Sequence, residues 1–74
     1  MRVSYKKLWK MLIDRDMMKR DLCNMARISG ASMAKLGKNQ NVSTEVLVRI
    51  CTALECDIAD IMEIVPNEFP KEKV

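Results

Sequence analysis

A chain of 74 residues is long enough for one compact core and too short for two, so any function has to fit on one small domain. Apolar residues make up 49% of it, but the only aromatics are Tyr5, Trp9 and Phe69, and only Gly30, Gly37, Pro66 and Pro70 punctuate it; this argues against a sandwich or barrel of many short strands and predicts an all-α fold. The net charge of +3 divides unevenly: residues 1–41 carry ten Lys or Arg against three Asp, a balance of +7, while residues 42–74 carry three basic and seven acidic residues, a balance of −4. The basic half is either a surface for a polyanion such as a phosphate backbone or a solvated charged face.

Ser4 can cap a first helix over residues 5–15, with Leu8, Met11 and Leu12 at the i, i+3, i+4 spacing of one buried face and Lys6, Lys7 and Lys10 off that stripe. Trp9 sits beside the stripe and packs against the domain rather than holding a ligand or base. A second, short helix over residues 19–26 places Leu22, Cys23, Met25 and Ala26 inward. Arg27, Ile28 and Ser29 break the pattern, and Ser29 offers an oxygen to the free amides of a third helix over residues 30–37. Met33 and Leu36 are the core face of that helix, whereas Ala31, Ser32 and Lys35 fall on the opposite side.

Residues 37–42 read as a loop, after which Ser43 caps a fourth helix with Glu45 in its first turn and Leu47, Ile50, Cys51 and Leu54 as its stripe. Asp57 then caps a fifth helix over residues 58–64 that buries Ile58, Ile61, Met62 and Val65 before Pro66 ends it. The expected organisation is therefore a five-helix domain over residues 1–66 and a flexible tail over residues 67–74.

Cys23, Cys51 and Cys56 form no CxxC pair and the chain has no His, so no zinc or other metal site and no cofactor are expected. Each Cys falls in or beside an apolar helical pattern, where a reduced Cys acts as a small hydrophobe, as in a cytoplasmic protein. There is no apolar run long enough for a membrane span and no signal-peptide core, which predicts a cytoplasmic protein without membrane contact. Enzymatic chemistry lacks its parts: no His, no Gly-rich phosphate loop and no nucleophile beside a base, and no small-molecule ligand is evident.

Two short helices joined by about three residues, the second buried on one face and basic on the other, match the helix-turn-helix plan, although helical bundles also contain such pairs. The stretch MMKRDLCNMARISGASMAKLGKNQNVSTEVLVRICTALECDIADIMEIV, with SYKKLWKMLID before it, resembles the Cro/CI-type (XRE-like) helix-turn-helix regulators of bacteria and phages over nearly the whole chain. Its ICxALxCDIxDIxE ending is similar to that of small single-domain regulators found near glycopeptide-resistance operons.

The resemblance implies a compact, five-helix, lambda-repressor-like domain in which Leu22, Ile28, Met33 and Leu36 hold the paired helices together. It implies sequence-specific binding of double-stranded DNA by a transcriptional regulator, most simply a repressor. A homodimer is expected because one short helix reads only a few base pairs, and the C-terminal residues Ile61, Ile64 and Val65 are the expected place for it unless they serve the core. An antitoxin-like or adaptor module that uses the same fold to bind protein is the alternative.

Carried over by position, Gly30, Ala31, Ser32 and Lys35 take the base-facing places, and Lys19, Arg27, Lys38, Asn39 and Ser43 lie near phosphates. Lys35 could donate to the O6 and N7 acceptors of guanine; the alternatives are a phosphate contact or a solvated charge. Gly30 and Ala31 offer only close backbone approach or contact with a thymine methyl, leaving room for readout of DNA shape. Two positions depart from the family pattern: Cys23 replaces a customary Ala, and Arg27 replaces a customary Gly in the turn, where positive φ should cost about 1 kcal/mol.

Overall fold

Residues 1–66 are described by a computed structural model. In chain order they form strand β1 (Arg2–Ser4), helices α1 (Lys6–Asp14), α2 (Lys19–Ala26), α3 (Gly30–Gly37) and α4 (Thr44–Leu54), a 3₁₀ turn (Ile58–Asp60) and strand β2 (Glu63–Val65). The expected flexible tail, residues 67–74, lies outside the described residues.

The helix starts follow from side-chain oxygens. Ser29 Oγ accepts from the amide of Ser32 at 3.1 Å, and Ser43 Oγ accepts from the amide of Val46 at 3.2 Å, so each satisfies one of the free donors of its helix. Met18 has no capping oxygen. There the Asp21 carboxylate reaches back to accept from the Met18 amide at 2.8 Å, the other half of a capping box.

All four helix ends use one device. Asp16, Arg27, Asn39 and Glu55 have φ between 54° and 58°, and after each of them the next amide bonds to a carbonyl five residues earlier: Met17 to Leu12 at 2.8 Å, Ile28 to Cys23 at 3.2 Å, Gln40 to Lys35 at 2.9 Å and Cys56 to Cys51 at 3.0 Å. These are Schellman ends built without glycine at the left-handed position. The sequence expectation of positive φ at Arg27 holds, and it extends to three more positions.

The core is Leu8 and Leu12 of α1, Leu22 and Ala26 of α2, Leu36 of α3, Leu47, Ile50 and Leu54 of α4, Ile61, and Tyr5. Tyr5 is 1% exposed: its phenol donates to the Gln40 carbonyl at 2.9 Å, and its amide donates to Asn39 Oδ1 at 3.1 Å. Burial pushes its pKa up, which keeps it a neutral donor. Trp9 packs partly buried against the core, as its place beside the α1 stripe predicts.

The expected fifth helix, and with it the five-helix all-α architecture, is not what forms. After one 3₁₀ turn the chain extends and pairs antiparallel with the N-terminus, with Arg2 opposite Val65, Val3 opposite Ile64 and Ser4 opposite Glu63. The described residues thus form four helices, one 3₁₀ turn and a two-stranded sheet. Asp57 still starts the turn, its carboxylate accepting from the Ile58 amide at 2.7 Å, while the Asp60 carboxylate accepts from the Asp57 amide at 2.9 Å.

Smaller corrections follow from this geometry. Ser4 ends β1 rather than capping α1 directly; Tyr5 occupies the N-cap, and Ser4 Oγ accepts from the Lys6 amide at 3.3 Å. Met25 and Ile58, expected inside, are exposed, and Ile64 faces solvent from β2. Ile61 is fully buried and so belongs to the core rather than to an interface.

Candidate nucleic-acid interface

The sequence of α3 divides it into two faces. Leu36 is fully buried and Met33 half-buried against the core, whereas Gly30, Ala31, Ala34, Lys35 and Lys38 are exposed. At 100° per residue the last four form a strip along the helix, with small side chains toward its start and lysines toward its end. Among the described residues the side chain of neither Lys35 nor Lys38 has a hydrogen-bond or ion-pair partner. A Cβ placed on Gly30 would meet nothing within 4 Å, so the backbone at the helix start is open to approach from outside.

The turn that aims α3 is fixed from two sides. Ile28 packs partly buried against the core, and the carbonyl of left-handed Arg27 accepts from Arg49 Nη1 at 2.8 Å. Arg49 Nη2 also meets the Glu45 carboxylate at 2.8 Å, one helical turn earlier on α4. The bidentate guanidinium therefore ties α4 to the hinge between α2 and α3.

A family model described as the Cro/C1-type HTH DNA-binding domain matches residues 7–67. The chain belongs to that family. A solved structure described as the transcriptional regulator VanUg is similar to it at 56% identity, with a TM-score of 0.86 over 89% of this chain and 88% of the other. No curated protein sequence matches it.

In this Cro/C1-type domain α2 and α3 are the helix-turn-helix pair, and the expected base-facing residues divide. Gly30, Ala31 and Lys35 share the exposed strip. Ser32 is half-buried on its flank, with its hydroxyl accepting from Ser29 Oγ at 3.2 Å, beside a cleft of about 300 Å³ that Glu45 and Arg49 also line. Ala34, not singled out from the sequence, takes a central place in the strip; its position one turn after Ala31 was the available signal.

The expected phosphate contacts are spread around this face. Lys19 Nζ lies over the Trp9 ring at 4.7 Å from its centroid and within 3.9 Å of where a Cβ on Gly37 would sit, which brings it to the end of α3. Lys38 follows Gly37 directly, and the Arg27 side chain is exposed ahead of α3. Ser43 is exposed at the start of α4; its oxygen accepts one amide, and its hydroxyl proton remains for an outside acceptor. Asn39 is different: its Oδ1 is committed to the Tyr5 amide, so its first role is to hold the end of α3 against β1 and α1.

Sequence reading missed the part of the N-terminus. Arg2 and Lys6 line, with Trp9, Gly37 and Asn39, an open cleft of about 430 Å³ at the C-terminal end of α3. Only the pairing of β1 with β2 brings Arg2 there, and nothing local in the first four residues announces that pairing.

Proposed function

We propose that the exposed strip of α3 enters the major groove of double-stranded DNA and that the chain regulates transcription by occupying an operator, most simply as a repressor. The observation that carries this reading is the strip itself: small residues at the helix start, unpartnered Lys35 and Lys38 further on, and no function for either lysine inside the domain. The regulator named in the similar solved structure supports it, as does the basic balance of residues 1–41. Lys35 donates to a guanine edge, Ala31 and Ala34 rest against thymine methyls, and open Gly30 lets the backbone come close. Lys19, Arg27, Lys38 and Ser43 meet phosphates, with the free amide hydrogens of Asn39 alongside.

One α3 reads few base pairs, so two copies bind as a homodimer on a two-fold site. Footprinting on DNA upstream of the gene cluster that encodes the chain tests the reading, and the resemblance to small regulators near glycopeptide-resistance operons makes that cluster the place to start. Two protected half-sites about one helical turn apart are expected. No protection at low salt, together with tight binding of a protein encoded nearby, would favour the antitoxin-like or adaptor alternative.

A further inference from the structure

At the C-terminal end of α4 the Schellman geometry sets two cysteines against each other. In such an end the side chain after the left-handed position frequently packs near the residue whose carbonyl its amide bonds. Here those residues are Cys56 and Cys51, joined by the 3.0 Å backbone bond across left-handed Glu55. The end of α2 has the same build, but there the pair is Cys23 and Ile28, so Cys23 has no thiol opposite it. Both Cys51 and Cys56 are half-buried free thiols at the edge of one open cleft of about 400 Å³, bordered by the carboxylates of Glu55 and Asp57.

We infer that Cys51 and Cys56 form a dithiol site for small cationic disulfides and close, by thiol–disulfide exchange, to an intramolecular disulfide. In the first step the Cys56 sulfur, its proton released to water, attacks one sulfur of the incoming disulfide, breaks its S–S bond and expels a thiolate that takes up a proton. In the second step Cys51 loses its proton and attacks the Cys56 sulfur, forming the Cys51–Cys56 bond and expelling the second small thiol. The protein dithiol gives up two electrons and two protons, and the small disulfide is reduced to two thiols.

The order follows from the surroundings. Burial, then the neighbouring Cys56 and the charges of Asp57 and Asp60, push the Cys51 thiol up to about 11, which keeps it protonated at neutral pH. Once Cys56 is tied up in a mixed disulfide, its own contribution to that shift is gone and Cys51 becomes easier to ionise. The carboxylates at the cleft select the sign of the reagent: Glu55 and Asp57 attract a cationic disulfide and repel an anionic one.

The test treats the reduced full chain under native conditions with cystamine, a cationic disulfide, or with glutathione disulfide, an anionic one, followed by intact mass and peptide mapping. Expected is loss of two hydrogens, a peptide linking Cys51 to Cys56, an alkylatable Cys23, and a rate several-fold higher with cystamine that converges with the other as salt rises. Cys51→Ala should stop at a mixed disulfide on Cys56, and Cys51→Ser serves if circular dichroism finds the Ala variant unfolded. Excess thiol should restore the reduced chain. A wild-type chain that keeps stable mixed disulfides, forms covalent dimers, or reacts first at Cys23 overturns the assignment.

Discussion

The guanidinium of Arg49 donates to the carbonyl of Arg27 at 2.8 Å, a bond that reaches across 22 residues of sequence from α4 to the turn ahead of α3. Its ion pair with Glu45 is between side chains 47% and 71% exposed and is worth only about 0.3–0.5 kcal/mol. The bond to Arg27 matters more, because it holds the turn that aims the helix. Arg49→Met, which keeps the apolar stem, should lower stability by about 1 kcal/mol and weaken DNA binding beyond that loss. An unchanged urea midpoint with unchanged affinity would remove this clamp.

The four helix ends supply a graded series. Arg27→Gly and Glu55→Gly should each raise stability by a few tenths to about 1 kcal/mol, because relief of left-handed strain outweighs the greater freedom of glycine in the unfolded chain. The same change at Asp16 should gain less, since short Asp side chains tolerate this backbone region. Asn39→Gly should lose stability, because it also removes the bond to the Tyr5 amide. Denaturation midpoints of the four variants check the order, and a uniform response at all four would contradict it.

Neutralising Lys19 or Lys38 should weaken binding to unrelated DNA sequences by similar factors and make the salt dependence shallower by about one unit per lost phosphate contact. Lys19 carries a second load, because its ammonium rests on Trp9. Lys19→Met should therefore also cost stability, by about 0.5–1 kcal/mol, whereas Lys38→Met should not. Affinity measured against salt on two sequences separates the roles; an unchanged slope takes that lysine out of the interface.

Helices α3 and α4 were legible in the sequence because Ser29 and Ser43 cap them and their stripes repeat at 3.6 residues; α2 was legible from its stripe alone, and its start, held by Asp21 behind Met18, came from the structure. The turn was legible through the family resemblance, which puts Arg27 in a place that customarily holds glycine. The last element was not, because Ile58, Ile61, Met62 and Val65 fit a helical stripe as well as they fit the 3₁₀ turn and strand that form. What decides between them is β1, about 60 residues away in sequence, and strands of three residues are too short to show an alternation of their own. Tyr5 was hidden for the same reason: its partners, Asn39 and Gln40, meet it only once α3 has docked. At the α3 face, Ala31 and Lys35 were readable from helical spacing and Gly30 from the family resemblance; Ala34 carried the same spacing signal and was passed over, while the Arg2 cleft needed the folded chain.

Direct readout by Lys35 is best tested by one pair of titrations at a fixed salt concentration, wild type and Lys35→Ala against the footprinted operator and against unrelated DNA. Lys35 stands on the exposed strip with Ala31 while Leu36 anchors the other face, so its removal should leave the helix content measured by circular dichroism unchanged. The predicted result is a loss of about 1–3 kcal/mol on the operator and a smaller loss on unrelated DNA, because a guanine edge is a partner that only the operator offers at that place. Equal weakening on both would contradict base readout by Lys35 and make it a backbone contact.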